Sequence, residues 1–263
     1  TMHGLNSPGR YSAVMTGGER VVCVSGSVRA YVLMHYPDVD PGKLRVIPRG
    51  IDTTQFPRVP AVDRAARARF ANACPQLGGE GPLLLLPGRG TRLKGHREAV
   101  SLLGNLRSQG IDARLWMPGA RENGREQYVS DLELQAKSGG FLDALALTPP
   151  IADIAEAYAA SDLVLQLSRK PEAFGRTVIE ALSVGRPVLG WAHGGVGELL
   201  AELQPCGSVR PFDEDALASA AQALLERPPS PLASMPYTLR AMQDATLALY
   251  LELADESSRH DAH

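Results

Sequence analysis

Glu172 and Glu180 lie eight positions apart and flank the stretch "AFGRTVI". If this stretch is helical, the two residues are about 12 Å apart along the axis, too far to share one proton or one metal ion. Carboxylates accept hydrogen bonds from vicinal hydroxyl groups, so the pair could instead hold the two ends of one ligand. The alternative is that one glutamate lies at a helix N-terminus and the other is an exposed helical residue.

A second candidate group is the loop "PGRGTRLKGH", residues 87–96. Arg89 and Lys94 together suit a diphosphate, because arginine offers a planar fork of donors and lysine a compact charge. The glycines do not form a dinucleotide-binding fingerprint, since Leu93 stands where the third glycine is required, and no Walker motif is present. Taken alone, the loop could equally be a solvated basic segment.

The helical pattern "AFGRTVIEALSVG", residues 173–185, carries a third group. Its apolar residues recur at helical spacing and predict a face turned to the core: Phe174, Val178, Ala181 and Leu182. Gly175 permits a close backbone approach, and the free N–H groups from Gly175 to Thr177 form an anion site that the helix dipole reinforces. Together with the two cations, this helix start suits a phosphate group. The two glutamates could then hold the ends of a nucleotide sugar, with its ribose at Glu180 and its sugar at Glu172.

The elements that position these residues follow from an alternation of strand-like and helical patterns after residue 81. Apolar runs predict strands at 82–88, 112–119, 141–148, 162–168 and 186–192. Helical patterns are found at 96–110, 122–137, 151–161, 173–185 and from Asp213 onward. Short connections between them predict an α/β fold with a doubly wound, parallel, Rossmann-like sheet, whose ligands bind at the carboxyl ends of the strands.

Three segments are predicted along the chain. Residues 1–56 hold a smaller α/β piece, a remnant of an N-terminal Rossmann domain, and the segment that joins it to the next domain. Residues 57–228 form the C-terminal Rossmann domain, which carries most of the candidate ligand-binding residues. Residues 229–263 contain an amphipathic helix expected to pack back toward the N-terminal piece, with a frayed tail at 257–263. The first residues read as though a strand had just ended, so the chain is expected to begin part-way through a domain.

The composition excludes several classes of protein. A net charge of −2 with 44% apolar residues is ordinary for a globular protein and does not indicate nucleic-acid binding. The three cysteines lack metal-binding spacing, and no apolar run approaches a membrane span, which together favour a cytoplasmic location. Two DxD matches, residues 38–40 and 213–215, lie in a proline-bracketed turn and at a helix start, so no metal site is predicted.

Several stretches, in the same order, resemble a known family. "PEAFGRTVIEALSVGRPVLG" resembles the E-x7-E signature of family 4 (group 1) retaining glycosyltransferases, which have the two-domain GT-B fold. "GRGTRLKGH" is similar to that family's loop with Arg and Lys at this spacing, and "ERVVCVSGSVRAYV" to the end of its N-terminal domain. "RVIPRGIDTTQF" resembles the interdomain segment PNGVD, with Arg49 in place of the usual Asn.

The resemblance implies four catalytic residues: Glu172, Arg89, Lys94 and His3. Arg89 and Lys94 would bind and neutralise the nucleoside diphosphate as it leaves, so no metal or other cofactor is required. Glu172 would lie beside the transferred sugar, and His3, in "TMHG", would contact that sugar. A lone histidine is otherwise more often structural, and this alternative stays open for His3.

The resemblance also implies the residues that bind the donor: Arg89, Lys94, Ile151, Asp153, Phe174, Gly175, Thr177 and Glu180. Glu180 would hold the ribose, and the amides of residues 174–177 would face the phosphates. The segment "TPPIAD" would seat the base, with Ile151 packed on it and Asp153 reading its edge. UDP is the expected nucleotide, with GDP and ADP as alternatives.

The activity implied by the resemblance is transfer of a hexose-type sugar, with retention, to a glycan or glycolipid. The pattern resembles bacterial enzymes of lipopolysaccharide-core synthesis, which implies a lipid-linked acceptor and a peripheral place at the inner face of the plasma membrane. The family's glycine-rich loop near the N-terminus is absent from this sequence. This chain alone is therefore expected to bind the donor nucleotide and to transfer little or no sugar.

Other functions place the same residue types around a nucleotide. A nucleotide-sugar epimerase of GT-B fold and a non-catalytic module that binds a nucleotide sugar or a partner both stay open, whereas the absent third glycine disfavours a nicotinamide-binding domain. His193 lies in a glycine-rich loop and is interpreted as a histidine with a backbone partner. Trp116 and Trp191 are predicted to pack in the core or the cleft, and the cysteines to be buried.

Overall fold

The computed structural model describes residues 1–260, which form two parallel β-sheets with helices packed against them. The chain begins with the short helix α1 (Arg10–Ala13). The smaller sheet then pairs β1 (Val21–Cys23) with β2 (Leu44–Val46), and α2 (Gly26–His35) connects these two strands. Met2 forms a further parallel bridge to Cys23, so the first residues lie along the same sheet.

The larger sheet has six strands, which are β3 (Leu83–Leu85), β4 (Arg114–Pro118), β5 (Leu145–Thr148), β6 (Leu163–Gln166), β7 (Val188–Trp191) and β8 (Ser208–Val209). Its helices are α3 (Arg64–Ala73), α4 (His96–Ser108), α5 (Glu126–Ser138), α6 (Ile154–Ala160), α7 (Arg176–Val184), α8 (Gly194–Leu203) and α9 (Glu214–Glu226), and α10 (Leu239–His260) follows. The strand order is β5-β4-β3-β6-β7-β8, and all pairs are parallel. The strands β3, β4 and β5 follow one another toward one edge of the sheet, and β6 then pairs with the other side of β3. This reversal of strand order opens a crevice at the carboxyl ends of β3 and β6.

Hydrophobic residues cover both faces of the larger sheet. In β3, Leu83 and Leu85 belong to one buried cluster and Leu84 belongs to the other. Trp116 and Trp191 are buried in the same two clusters, one in each, as the sequence predicts. A strand buried on both faces requires helices on both, so the predicted α/β fold with a doubly wound parallel sheet is confirmed.

The apolar run at 141–148 contributes fewer strand residues than the sequence predicts. Only its second half is β5, because residues 142–144 form a 3₁₀ turn. The ring of Phe141 lies over Gly104 of α4, where an added Cβ atom would be 2.8 Å from the ring. The first half of the run therefore anchors α4 instead of extending the sheet. The prediction that the cysteines are buried is wrong for Cys206, which lies exposed in another such turn.

The long helix α10 lies against the smaller sheet. Arg20 and Arg45 both pair with Glu252, at 3.2 and 3.1 Å. The helix includes residues 257–260, which the sequence assigns to a frayed tail, and residues 261–263 lie outside the described residues. No helix within residues 1–260, α10 included, combines the length and the apolar character needed to cross a membrane.

Glu198 on α8 joins the two sheets. Its carboxylate accepts hydrogen bonds from the backbone N–H groups of Gly26 and Ser27, both at 2.9 Å, and from the Ser27 hydroxyl at 3.0 Å. The Ser25 hydroxyl caps the start of α2 and donates to the carbonyl oxygen of Ala173 at 2.5 Å. The bonds to Glu198 hold the start of α2 to α8, and the Ser25 bond holds it to the loop that follows β6. The segment boundaries at residues 56 and 228 stay predictions.

Candidate functional site

The loop between β3 and α4 carries Arg89 and Lys94, and close backbone packing sets its path. Gly95 has φ +78°, and a Cβ atom there would lie 2.0 Å from the carbonyl oxygen of Leu167. Only glycine fits this contact, because the left-handed conformation and the lack of space both exclude a side chain. The N–H of Gly88 also donates to the Pro118 carbonyl at 3.0 Å, which ties the loop to the end of β4.

His96, the first residue of α4, contacts the same loop through its buried side chain. Its side chain is fully buried, and its Nδ1 lies 3.2 Å from the carbonyl oxygen of Thr91. Because a carbonyl oxygen only accepts, Nδ1 carries the proton in this contact. Burial lowers the pKa of His96, which favours the neutral ring.

The start of α7 lies across the crevice from this loop. Gly175 has φ +113° and packs against Val196 of α8, where an added Cβ atom would be 3.0 Å from a side-chain carbon. No side chain caps this helix, and the N–H of Val178 donates to the Gly175 carbonyl at 3.0 Å, so the N–H groups of Arg176 and Thr177 stay available. These groups and the helix dipole favour a bound anion, as the sequence predicts for this position.

The two loops border a cleft of about 940 Å³ at the carboxyl ends of β3 and β6. The predicted site residues in its lining are His3, Arg89, Lys94, Glu172, Phe174, Gly175 and Thr177. Ile151, Asp153 and Glu180 are not part of this lining. Phe174 is itself buried and packs edge-on against Tyr237, with the ring centroids 5.8 Å apart.

Glu172 is held by three polar side chains. Its Oε1 accepts from Lys94 Nζ and from the Ser168 hydroxyl, each at 2.5 Å. Its Oε2 accepts from Gln166 Nε2 at 3.2 Å. Gln166 and Ser168 are both buried, and the sequence reasoning missed them as site residues. Two polar residues at the end of an otherwise apolar strand are the signal that could have identified them.

Glu180 lies on the buried side of α7. Its Oε2 accepts a hydrogen bond from the Tyr158 hydroxyl at 3.0 Å, and its Oε1 pairs with Arg176 at 2.9 Å. Burial, followed by the nearby Glu180 charge, raises the pKa of Tyr158 well above its usual value, so the phenol keeps its proton. The sequence did not predict either partner, since spacing cannot show that α6 presents a tyrosine to this glutamate.

In the segment 148–153, which is predicted to bind the base, Asp153 caps a helix and Ile151 packs against the core. Asp153 is the N-cap of α6, and its Oδ1 accepts the backbone N–H of Glu156 at 3.0 Å. Ile151 packs against the hydrophobic cluster beside β3. A role of these two residues toward a base stays a prediction.

His3 and Arg49 form a pair in the lining of the same cleft. Arg49 Nη2 lies 2.7 Å from Nδ1 of His3, and both residues line the cleft. Burial and the Arg49 charge lower the pKa of His3. His193 lies outside the lining, and its Nε2 contacts the carbonyl oxygen of Ser168 at 2.9 Å. The predicted backbone partner of His193 is therefore confirmed.

The lining of the cleft carries more positive than negative side chains. Its cations are Arg49, Arg89, Lys94 and Arg176, and its anions are Asp52 and Glu172. The whole chain has a net charge of −2, so this positive balance is local to the cleft. Within the described residues no group of three or more His, Cys, Asp or Glu side chains is arranged to hold a metal ion.

The two aspartate motifs serve as helix caps in the structure. Asp40 accepts the N–H of Gly42 at 2.8 Å, and Asp213 accepts the N–H of Ala216 at 3.0 Å at the start of α9. The predicted helix-start position of the second motif is therefore confirmed.

Another cavity, of about 680 Å³, lies at the amino ends of the strands. Pro82, Asp162 and Pro187, which precede β3, β6 and β7, are part of its lining. It contains none of the predicted site residues. The cleft at the carboxyl ends is therefore the candidate site.

Residues 73–237 match the family described as glycosyl transferases group 1. This match covers more than half of the chain, so the chain belongs to that family. Mannosylfructose-phosphate synthase of Agrobacterium fabrum is 31% identical over 180 residues, which make up 66% of this chain and 38% of that protein. The chain thus spans well under half the length of this curated relative.

Solved structures share the fold. A glycosyltransferase from Rickettsia africae superposes with a TM-score of 0.82 at 24% identity, covering 96% of this chain and 69% of that chain. Anabaena HepE, solved with UDP, superposes with a TM-score of 0.74 at 20% identity, covering 98% of this chain and 71% of that chain. The parallel sheets and their helices therefore have the architecture of GT-B glycosyltransferases.

Proposed function

We propose that the cleft binds the nucleoside diphosphate sugar of a retaining, metal-independent glycosyltransferase. The observation that carries this proposal is the convergence of Arg89, Lys94 and the uncapped start of α7 on one cleft. Arg89 is exposed, and its side chain makes no ion pair with any described residue, so its charge is available to a ligand. A diphosphate matches this arrangement of two cations and free N–H groups.

In the proposed reaction, the bond between the sugar and the diphosphate breaks, and negative charge grows on the leaving oxygen. Arg89, Lys94 and the amides at the start of α7 would stabilise that charge. The loss of one such donor is expected to lower the rate roughly 10²–10³-fold. Glu172 would face the positive charge that develops on the sugar. Because cations already neutralise the leaving group, no metal is assigned to the step.

The roles at the nucleoside end rest on the resemblance and on position. Glu180 would accept from the ribose hydroxyls with lone pairs that its two present partners leave free. UDP is the first nucleotide to test, because the Anabaena neighbour was solved with it. GDP and ADP are the alternatives.

The acceptor is proposed to be a glycan or a lipid-linked glycan of the cell envelope, reached from the cytoplasm at the inner face of the plasma membrane. This part rests on the sequence resemblance alone. Since the chain spans only part of its relatives, we propose that it binds the donor by itself and that transfer requires the remainder of a complete enzyme.

Calorimetric titration of the chain with UDP, GDP, ADP and NAD tests the proposal, first without and then with magnesium. We expect saturable, metal-independent binding of one nucleoside diphosphate and a loss of that binding in Arg89→Gln. Arg92→Gln is the matched control, because Arg92 lies in the same loop with its side chain 77% exposed and outside the cleft lining. Binding of NAD alone, or equal effects of the two variants, would contradict the proposal.

A further inference from the structure

The contact between Arg49 and His3 determines which form of the imidazole lies in the cleft. A guanidinium has five N–H donors and no acceptor. Its Nη2 is 2.7 Å from Nδ1 of His3, so Nδ1 must be the acceptor of this hydrogen bond. A ring nitrogen that accepts carries no proton, which leaves the proton on Nε2.

We propose that Arg49 is a positioning residue that holds His3 in the neutral tautomer with its proton on Nε2, facing the sugar side of the cleft. Both side chains line the cleft, whose lining also includes Arg89 and Lys94 of the 87–96 loop. Among the described residues, Nε2 has no hydrogen-bond partner, so its N–H group is available to a ligand.

Two further observations support the neutral form. A proton on Nδ1 would point at an N–H group of Arg49, and in the doubly protonated ring it would also place two positive charges in contact. Partial burial of His3 also disfavours a charged ring, and both effects lower its pKa.

The consequence for the reaction rests on the proposed function. Glycosyl transfer passes through a state in which positive charge develops on the sugar, as in glycoside hydrolysis. An imidazolium beside that sugar would oppose the charge, whereas a neutral imidazole can donate one hydrogen bond to a hydroxyl group without this repulsion. An amide side chain at position 49 could accept as well as donate, so it would not select one tautomer.

Nitrogen NMR of the chain labelled at histidine tests the tautomer directly at pH 7.5, with the His3 signals assigned by their loss in His3→Gln. We expect a protonated Nε2 and an unprotonated Nδ1 in the wild type. Arg49→Lys, which keeps a pure donor, should retain this pattern, and Arg49→Gln should give a mixture of tautomers. A wild-type His3 protonated on Nδ1, or an unchanged tautomer in Arg49→Gln, would overturn the proposal.

Calorimetry with UDP and with UDP-glucose provides a second readout. We expect Arg49→Gln to leave UDP affinity within about twofold and to reduce the additional affinity that the sugar provides about tenfold, as for one lost polar contact. Equal losses for both ligands would place Arg49 at the nucleotide and overturn the positioning role. Failure of the wild type to bind either nucleotide would contradict the proposed function, while the NMR result would still decide the tautomer.

Arg45→Gln is the matched control for both measurements. Arg45 lies four residues earlier, on β2, and pairs with Glu252 on α10 and not with a residue of the cleft. This variant removes an arginine from the same region, so it should change neither the His3 signals nor the difference between the two ligands.

Discussion

At the scale of single residues, the cleft holds an ion pair, Lys94 with Glu172, that a bound nucleotide sugar would separate. Lys94 is proposed to bind the diphosphate, yet its ammonium group contacts the carboxylate of Glu172 at 2.5 Å. Ser168 and Gln166 hold the same carboxylate, so Glu172 keeps two partners when Lys94 turns to a phosphate. Gln166 and Ser168 therefore keep the Glu172 carboxylate in place when Lys94 leaves it to contact a phosphate.

Glu172→Gln is expected to bind UDP about threefold to tenfold more tightly, because the change frees Lys94 and removes a negative charge near the phosphates. Sugar transfer by the complete enzyme should fall, since the charge that faces the sugar is lost. Calorimetry and a transfer assay measure the two effects. Asp52→Asn is the control, because it removes a charge from the same cleft and leaves Lys94 paired. Weaker UDP binding in Glu172→Gln would mean that the pair orients Lys94.

At the scale of elements, the site depends on how closely the 87–96 loop and the start of α7 pack against their neighbours. Gly95 lets the 87–96 loop pass the end of β6, and Gly175 lets the start of α7 pack on α8. Neither loop has room for a side chain at these points. Backbone contacts therefore fix the segments that carry the cations and the free N–H groups.

Gly95→Ala is expected to lower the free energy of unfolding by about 3 kcal/mol or more, since it combines a left-handed conformation with a collision. Gly110→Ala is the matched control, because Gly110 has φ +85° and nothing within 4 Å of an added Cβ atom. That variant should lose only about 1 kcal/mol. Urea denaturation measures both changes. Equal losses would show that the conformation, and not the contact with Leu167, makes glycine necessary.

At the scale of the whole molecule, the cleft exists because two sheets are held together. His3 and Arg49 come from the part of the chain around the smaller sheet, and Arg89 and Lys94 come from the larger one. Glu198 provides a direct link, by accepting from both N–H groups at the start of α2. A negative charge at a helix N-terminus also stabilises the helix dipole.

Glu198→Ala is expected to lower the free energy of unfolding by about 1–2 kcal/mol, because it leaves the N–H groups of Gly26 and Ser27 without their acceptor. The UDP-glucose affinity should also fall, since the two ends of the cleft are no longer held at a fixed distance. Glu133→Ala is the control, because Glu133 pairs with Arg121 at the surface of α5, where one ion pair contributes little. An effect of Glu198→Ala no larger than that of the control would argue against the link.

Local patterns were sufficient for the fold class and for one half of the candidate site. The alternation of apolar runs and helical spacing is a property of neighbouring residues, and it predicted the parallel sheet and the carboxyl-end position of Arg89, Lys94 and Gly175. These three residues lie in the segments that follow β3 and β6, so the positions of the strands placed them at the cleft.

The contacts between distant parts of the chain required the tertiary structure. Tyr158 reaches Glu180, and Arg49 reaches His3, across 22 and 46 positions. Which side chains meet depends on how the helices pack and which rotamers fit, and sequence spacing contains neither. For Asp153, the sequence allowed two roles, because an aspartate before a helix can face a ligand or cap the helix. In the folded chain its Oδ1 accepts a backbone N–H of that helix.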